Sequence, residues 1–213
     1  MPKLSLYLVR HGQTAASREN RFSGHVDPPL TEVGLAMAGA LADAYAELPW
    51  AAVYTSPLLR CRQTAAPLCE RARLVPVVEE GLKEIGYGEW EGLQQDEVRA
   101  RFPEAFAYWA EDVASRGTPG GETAFQVAAR AMSAVERIRV KHLDGNVLIV
   151  SHKATLRIIV CALLGMDVRE FRQRIAQPVA AVSHFEISAK STMLVRLGDV
   201  AHLSPELREA PGT

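Results

Sequence analysis

Hydrophobic and polar positions fall into blocks along this chain, and the blocks change period in a regular order. Leu4-Ser5-Leu6-Tyr7-Leu8-Val9 is short and β-prone and runs into a polar stretch containing Gly12, which predicts a buried strand followed by a loop over residues 10–31. Thr31 is a fitting N-cap for a helix that carries Leu35, Ala38, Leu41, Ala42 and Tyr45 on one side at helical spacing. The cycle then repeats. Ala51 to Tyr54 reads as a second strand, Thr55-Ser56 as a cap and Pro57 as a first helical residue, where its missing N–H costs nothing; Arg60 then falls near the first turn. Leu74 to Val78 predicts a third strand, and Gly81, Gly86, Gly88 and Gly92 mark a loop-rich stretch carrying Glu84, Tyr87 and Trp90.

Helices are predicted across 94–115 and, after the turn Pro119-Gly120-Gly121, from about 123 to 141. Asn146 to Val150 is a strongly apolar strand closed by Ser151-His152, and a helix follows from Lys153 through Leu164 to its stop at Gly165. Two more strand-like runs lie near 180–187 and 192–197. Strands alternating with helices imply an α/β fold with a largely parallel sheet covered on both faces, whose ligands bind beyond the carboxyl ends of the strands. Arg10-His11, Arg60 and His152 each lie just past the end of a different predicted strand, so the topology brings them to one sheet edge.

Composition narrows the class. A chain of 213 residues fits one core, so a single domain over 1–213 is expected. Hydrophobic residues at 48% and charged residues at 23% are ordinary for a water-borne protein, and no apolar run is long enough to span a bilayer. A formal net charge of -1 argues against a nucleic-acid-coating protein, so any anion binding is local. Cys61, Cys69 and Cys161 have no zinc-type spacing and read as reduced, mostly structural thiols. Met1-Pro2-Lys3 leads straight into a strand with no signal-peptide pattern, which makes a cytoplasmic protein the expectation.

Phosphoryl transfer from an ester needs an in-line nucleophile, positive charge around the equatorial oxygens and a proton for the leaving oxygen. His11 suits the first task as a neutral imidazole, because Arg10 and Arg60 disfavour its protonated form while gathering the dianion. Arginine suits the second, since it stays charged and forks onto phosphate oxygens. His152 would add a donor to an equatorial oxygen, and Glu84 is the candidate general acid, which would later activate water. Taken singly each has a plain reading: a polar residue after a strand, a solvated helix arginine, a loop carboxylate. Only the set points to catalysis.

The set also resembles a family. Leu8-Val9-Arg10-His11-Gly12-Gln13-Thr14 is similar to the signature of the histidine phosphatase superfamily, which includes cofactor-dependent phosphoglycerate mutases. It is joined in the matching order by Asn20-Arg21-Phe22-Ser23-Gly24, Pro29 to Gly34, Thr55 to Arg60, Glu84 to Gly92, Gly120-Gly121-Glu122 and Val150-Ser151-His152. The resemblance implies a three-layer α/β/α fold, phosphorylation of His11, a phosphate pocket completed by Arg10, Arg60 and His152, Glu84 as proton donor, and no metal or other cofactor. It places Gln13, Thr14, Ser23 and Gly24 at the substrate entrance. Ala16-Ser17 departs from the usual Trp-Asn, so Ser17 would offer a hydroxyl in place of an amide, and Lys153 stands where glycine is frequent. Lys153 either brings charge toward an acidic substrate or is simply solvated at its helix start.

Mutases of the family usually carry a longer, basic and proline-rich insertion after the Glu84 motif; here the chain passes instead through Phe102-Pro103-Glu104 and Trp109 to Gly120-Gly121-Glu122. That favours a phosphatase for a small phosphorylated metabolite, similar to metal-independent phosphoserine phosphatases and α-ribazole phosphatases, over a mutase. Tyr87 is placed on the leaving-group side; Trp90, Phe106, Trp109 and His184 could also lie there or in the core. A non-catalytic phospho-ligand module would not need both His11 and Glu84. A metallohydrolase built on His11, His25, His152 and His184 lacks a helical His pair or a carboxylate cluster. No nucleic-acid or membrane partner is expected, and the late strands leave room for pairing in a homodimer.

Overall fold

Among the described residues, six strands form one sheet: β1 (Leu4–Arg10), β2 (Trp50–Thr55), β3 (Val77–Val78), β4 (Gly145–Ser151), β5 (Val182–Ile187) and β6 (Thr192–Asp199). The structure is a computed structural model that describes residues 2–212; Met1 and Thr213, which the one-domain reading also takes in, lie outside the described residues. The order across the sheet is β3-β2-β4-β1-β5-β6. The first four are mutually parallel, and β5 is antiparallel to both its neighbours, which gives the mixed, mostly parallel sheet that the alternation predicts. The helices are α1 (Ala15–Arg18), α2 (Glu32–Tyr45), α3 (Leu59–Ala72), α4 (Gln95–Arg101), α5 (Pro103–Glu111), α6 (Ala124–Lys141), α7 (Lys153–Leu163), α8 (Phe171–Arg174) and α9 (Pro205–Glu209).

Both faces of the central strands are buried, and their period of two sends alternate residues to opposite layers. Leu6, Leu8, Val147 and Ile149 pack with α6 and α7. Val9, Leu148 and Val150 pack with α2 and α3 on the other face. Because β2, β4 and β1 are adjacent, their carboxyl ends, followed by Ser56, His152 and His11, open on one edge.

Three local expectations need correction. Leu35 is 49% exposed, and the inward stripe of α2 runs through Gly34, Met37, Ala38, Leu41 and Ala42 instead. Gly34 takes the inner place because a Cβ there would stand 2.1 Å from the carbonyl oxygen of Gln13. Helix α3 begins at Leu59 with Leu58 as N-cap, so Pro57 precedes it; the Leu59 N–H is bound at 2.8 Å by the Asp27 carboxylate, a cap from a distant loop. The third strand shrinks to Val77–Val78, since β3 is the sheet's last strand and Val75, Val77 and Val78 are exposed along it.

Candidate active site

His11 follows β1 directly and is 4% exposed. Its Nδ1 lies 2.8 Å from the carbonyl oxygen of Gly12, which can only accept, so Nδ1 carries the proton and Nε2 keeps its lone pair. Burial, then the charges of Arg60 and Arg10, hold its pKa well below the ordinary histidine value. The ring is therefore neutral and of fixed tautomer, with its free lone pair on Nε2. Its backbone is pinned by the Gly12 N–H, which donates to Thr64 Oγ1 at 2.9 Å.

Arg10, His11 and Glu84 line a cavity of about 330 Å³ together with Ser17, Ser23, Tyr87 and Lys153. Arg10 Nη1 donates to the carbonyls of Gln177 at 2.8 Å and Gly212 at 3.2 Å, so its guanidinium is braced by two distant segments. Glu84 sits on the start of α7: its Oε1 accepts the Thr155 N–H at 3.1 Å and its Oε2 the Ala154 N–H at 3.2 Å. These are orphan donors of a helix N-terminus, and a carboxylate is their natural partner. The backbone carbonyl of Glu84 accepts from Arg130 at 2.9 Å, and His25 Nε2 lies 3.0 Å from the same oxygen. Arg130 in turn grips both Glu122 oxygens at 2.8 Å, and Glu122 accepts the Gly86 N–H. The Gly-Gly-Glu turn is thus a bracket for the acid-bearing loop.

Arg60 and His152 stand differently from the expectation. Both are fully buried and neither borders the cavity. Arg60 Nη1 and Nη2 donate to the carbonyls of Val26 and Gly24 at 2.9 and 2.8 Å, and Nε donates to His152 Nδ1 at 3.1 Å. Since that nitrogen accepts, Nε2 holds the His152 proton and donates to Ser56 Oγ at 2.7 Å. The His152 ring stays 5.2 Å, centroid to centroid, from that of His11 and is held neutral by burial and by Arg60. In this structure Arg60 contributes charge and position rather than a fork on phosphate, and the His152 N–H reaches a ligand only by leaving Ser56.

The entrance residues divide. Gln13 donates from Nε2 to the Pro211 carbonyl at 2.6 Å and accepts from Thr31 Oγ1, pointing away from the cavity. Thr14 caps α1, and its box partner Ser17 spends its hydroxyl on Thr14 while still bordering the cavity. Gly24 does not line it: its left-handed φ of 45° and a Cβ position 2.1 Å from Glu91 explain the glycine structurally. Trp90 and Trp109 form a core cluster against which Phe106 packs, and His184 stacks on Tyr7 at 4.2 Å away from the site. Arg157, Phe171 and Arg172 also line the cavity, though no motif announced them. Arg157 alone had a signal, four residues after Lys153 on the same helix face.

A neutral imidazole flanked by guanidinium groups, opposite a carboxylate seated on a helix start, at the carboxyl edge of an α/β sheet, defines a phosphoryl-transfer enzyme. The chain belongs to the histidine phosphatase superfamily (branch 1), whose sequence profile matches residues 6–200, and it is a phosphatase. It is 31% identical over 207 residues to phosphoserine phosphatase 1 of Hydrogenobacter thermophilus, covering 97% of this chain and 98% of that one. It is 37% identical over 164 residues to 2,3-bisphosphoglycerate-dependent phosphoglycerate mutase 2 of Gloeobacter violaceus, covering 74% of each. Among solved structures, YhfR of Bacillus stearothermophilus superposes with a TM-score of 0.87 at 32% identity, covering 94% of this chain and 100% of that one.

Proposed function

We propose that the protein hydrolyses a small phosphorylated metabolite without a metal ion, through a phosphohistidine on His11. The observation that carries this reading is the 2.8 Å contact of His11 Nδ1 with the Gly12 carbonyl, which leaves Nε2 unprotonated in the cavity. Nε2 attacks phosphorus as the ester P–O bond breaks, and Glu84 passes its proton to the leaving oxygen. Water then attacks the phosphohistidine, Glu84 takes a proton from it, the P–N bond breaks and inorganic phosphate leaves. Arg10 and the buried charge of Arg60 stabilise the phosphoryl oxygens in both steps. The donor set among the described residues supports a metal-free route, since a divalent cation beside His11 would face Arg10, Lys153 and Arg157 with one side-chain carboxylate to hold it.

The test is rapid quenching with labelled p-nitrophenyl phosphate in the presence of a chelator. An acid-labile phosphoenzyme that vanishes in His11→Ala is expected; full activity in that variant, or dependence on added metal, would sink the reading. The likeness to a mutase gives a second reading, phosphoryl return to the product. Against it, the segment after Glu84 folds as α4 and α5, whose Val98, Phe106 and Trp109, with Phe102 between the helices, are packed together around Trp90. Isomerisation of 3-phosphoglycerate in the presence of 2,3-bisphosphoglycerate, without phosphate release, would establish the mutase instead.

A further inference from the structure

Among the described residues, five lysine and arginine side chains and one side-chain carboxylate face the cavity. Two of the five are engaged by the protein: Arg10 by the carbonyls named above, and Arg21 by Glu19 at 2.8 Å and Glu97 at 3.3 Å. The other three, Lys153, Arg157 and Arg172, have no task in the hydrolysis as derived. The electrostatic neighbours of Lys153 are Arg10, Arg157, Arg172 and Glu84, and those of Arg157 are Arg172, Tyr87 and Glu84.

Holding them there opposes the fold in three ways. Lys153 sets a positive charge at the first position of α7, the positive end of its dipole. Arg157 follows one turn later, a like-charge i,i+4 pair. The Nε of Arg157 is buried with no hydrogen-bond partner, a donor without an acceptor. Arg172 comes from α8 and rides over the Trp109 ring at 4.7 Å, which fixes its guanidinium toward the same cavity. Unfavourable charges gathered on one wall of a cavity mark a ligand's opposite charge.

We infer that the substrate carries a second anionic group, a carboxylate or a second phosphate, in its leaving part, and that Lys153, Arg157 and Arg172 bind it. This rests on the phosphatase reading of the pocket. The leaving part is assigned because Glu84, the donor to the leaving oxygen, is anchored on the N–H groups of Ala154 and Thr155, so α7 flanks that side of the ester. A cavity of about 330 Å³ holds a phosphate and a short carbon chain ending in such a group.

The experiment measures binding to the full chain in the His11→Ala background, so that turnover is not needed. Three ligands are titrated calorimetrically: glycerol 3-phosphate, 3-phosphoglycerate for a carboxylate, and glycerol 1,3-bisphosphate for a second phosphate. At least one of the two ligands with a second anionic group is expected to bind about tenfold or more tighter than glycerol 3-phosphate, as one charged hydrogen bond gives. Arg157→Gln and, at an exposed position that spares folding, Arg172→Gln should each shrink that ratio severalfold, and Arg157→Lys should restore part of it. Equal binding of all three ligands, or ratios unmoved in both Gln variants, would overturn the inference. Absence of a phosphoenzyme in the wild type would instead overturn the hydrolytic reading, and the two failures are read from different measurements.

Discussion

Replacing Lys153 by methionine should make the protein more stable, by an amount that depends on pH in a defined direction. Methionine keeps the aliphatic stem and removes the charge. Burial first, and then Arg10, Arg157 and Arg172, push the Lys153 pKa down to about 7 from 10.5, with Glu84 alone opposing them. The folded state therefore resists protonation that the unfolded chain accepts. Between about pH 7 and about pH 10.5 the unfolded state binds more protons, so wild-type stability rises with pH across that window, and the penalty is complete below it. Lys153 is partly solvated, so the full shift is discounted to about 1–3 kcal/mol at pH 7, including a few tenths each from the helix dipole and the Arg157 pair. For a chain of this length that is a Tm gain of roughly 2–8 °C. Thermal unfolding of both proteins from pH 6 to about pH 10.5 checks it: the gap should be widest at and below neutrality and close toward the upper end. A variant that is less stable at pH 7, or a gap that ignores pH, would refute the electrostatic account of this helix start.

Other consequences can be measured directly. Thr155→Val removes the hydroxyl that lies 3.2 Å from Glu84 Oε1 and 2.7 Å from the Lys83 carbonyl; kcat should fall by about tenfold or more in steady-state assays, with KM less affected. Ser56→Ala removes the hydroxyl that accepts the buried His152 Nε2–H, leaving it the weaker Cys61 Sγ at 3.4 Å, and should cost about 1–2 kcal/mol in chemical denaturation. His11 is held neutral to well below its ordinary pKa, so activity is lost only as pH falls through that depressed value; the acid limb of kcat/KM, corrected for the ester's own ionisation, should lie well below pH 6.5.

Most of the sheet, and the positions of the candidate site residues, were legible because each depends on local pattern. β1, β4 and α6 are long and strongly periodic; Arg10-His11 and His152 sit at the ends of β1 and β4, and Arg60 lies in the first turn of the helix after β2, so parallel topology aligns them. What stayed hidden depends on partners far along the chain. Nothing near Leu59 reveals that Asp27 caps α3, and nothing near Arg60 reveals that its donors go to Val26, Gly24 and His152. Arg130 reads as one more basic residue on an amphipathic helix until the loop at Glu84 folds onto it. Arg172 lies on a four-residue helix with no periodic face to place it. Gln13 and Thr14 carried family expectations toward the entrance, but their side chains complete the turn between β1 and α2.

The hold that the carbonyls of Pro211 and Gly212 keep on Gln13 and Arg10 makes the two ends of the described chain unequal as handles. Residue 3 precedes β1 at the edge of the sheet opposite the cavity, about 20 Å away along seven strand residues, whereas residue 212 touches the guanidinium beside the nucleophile. A label, linker or solid support joined near Lys3 leaves the pocket facing the solution. The same attachment beyond residue 212 would pull on the segment whose carbonyl braces Arg10, and the choice of immobilisation chemistry would then alter the measured activity.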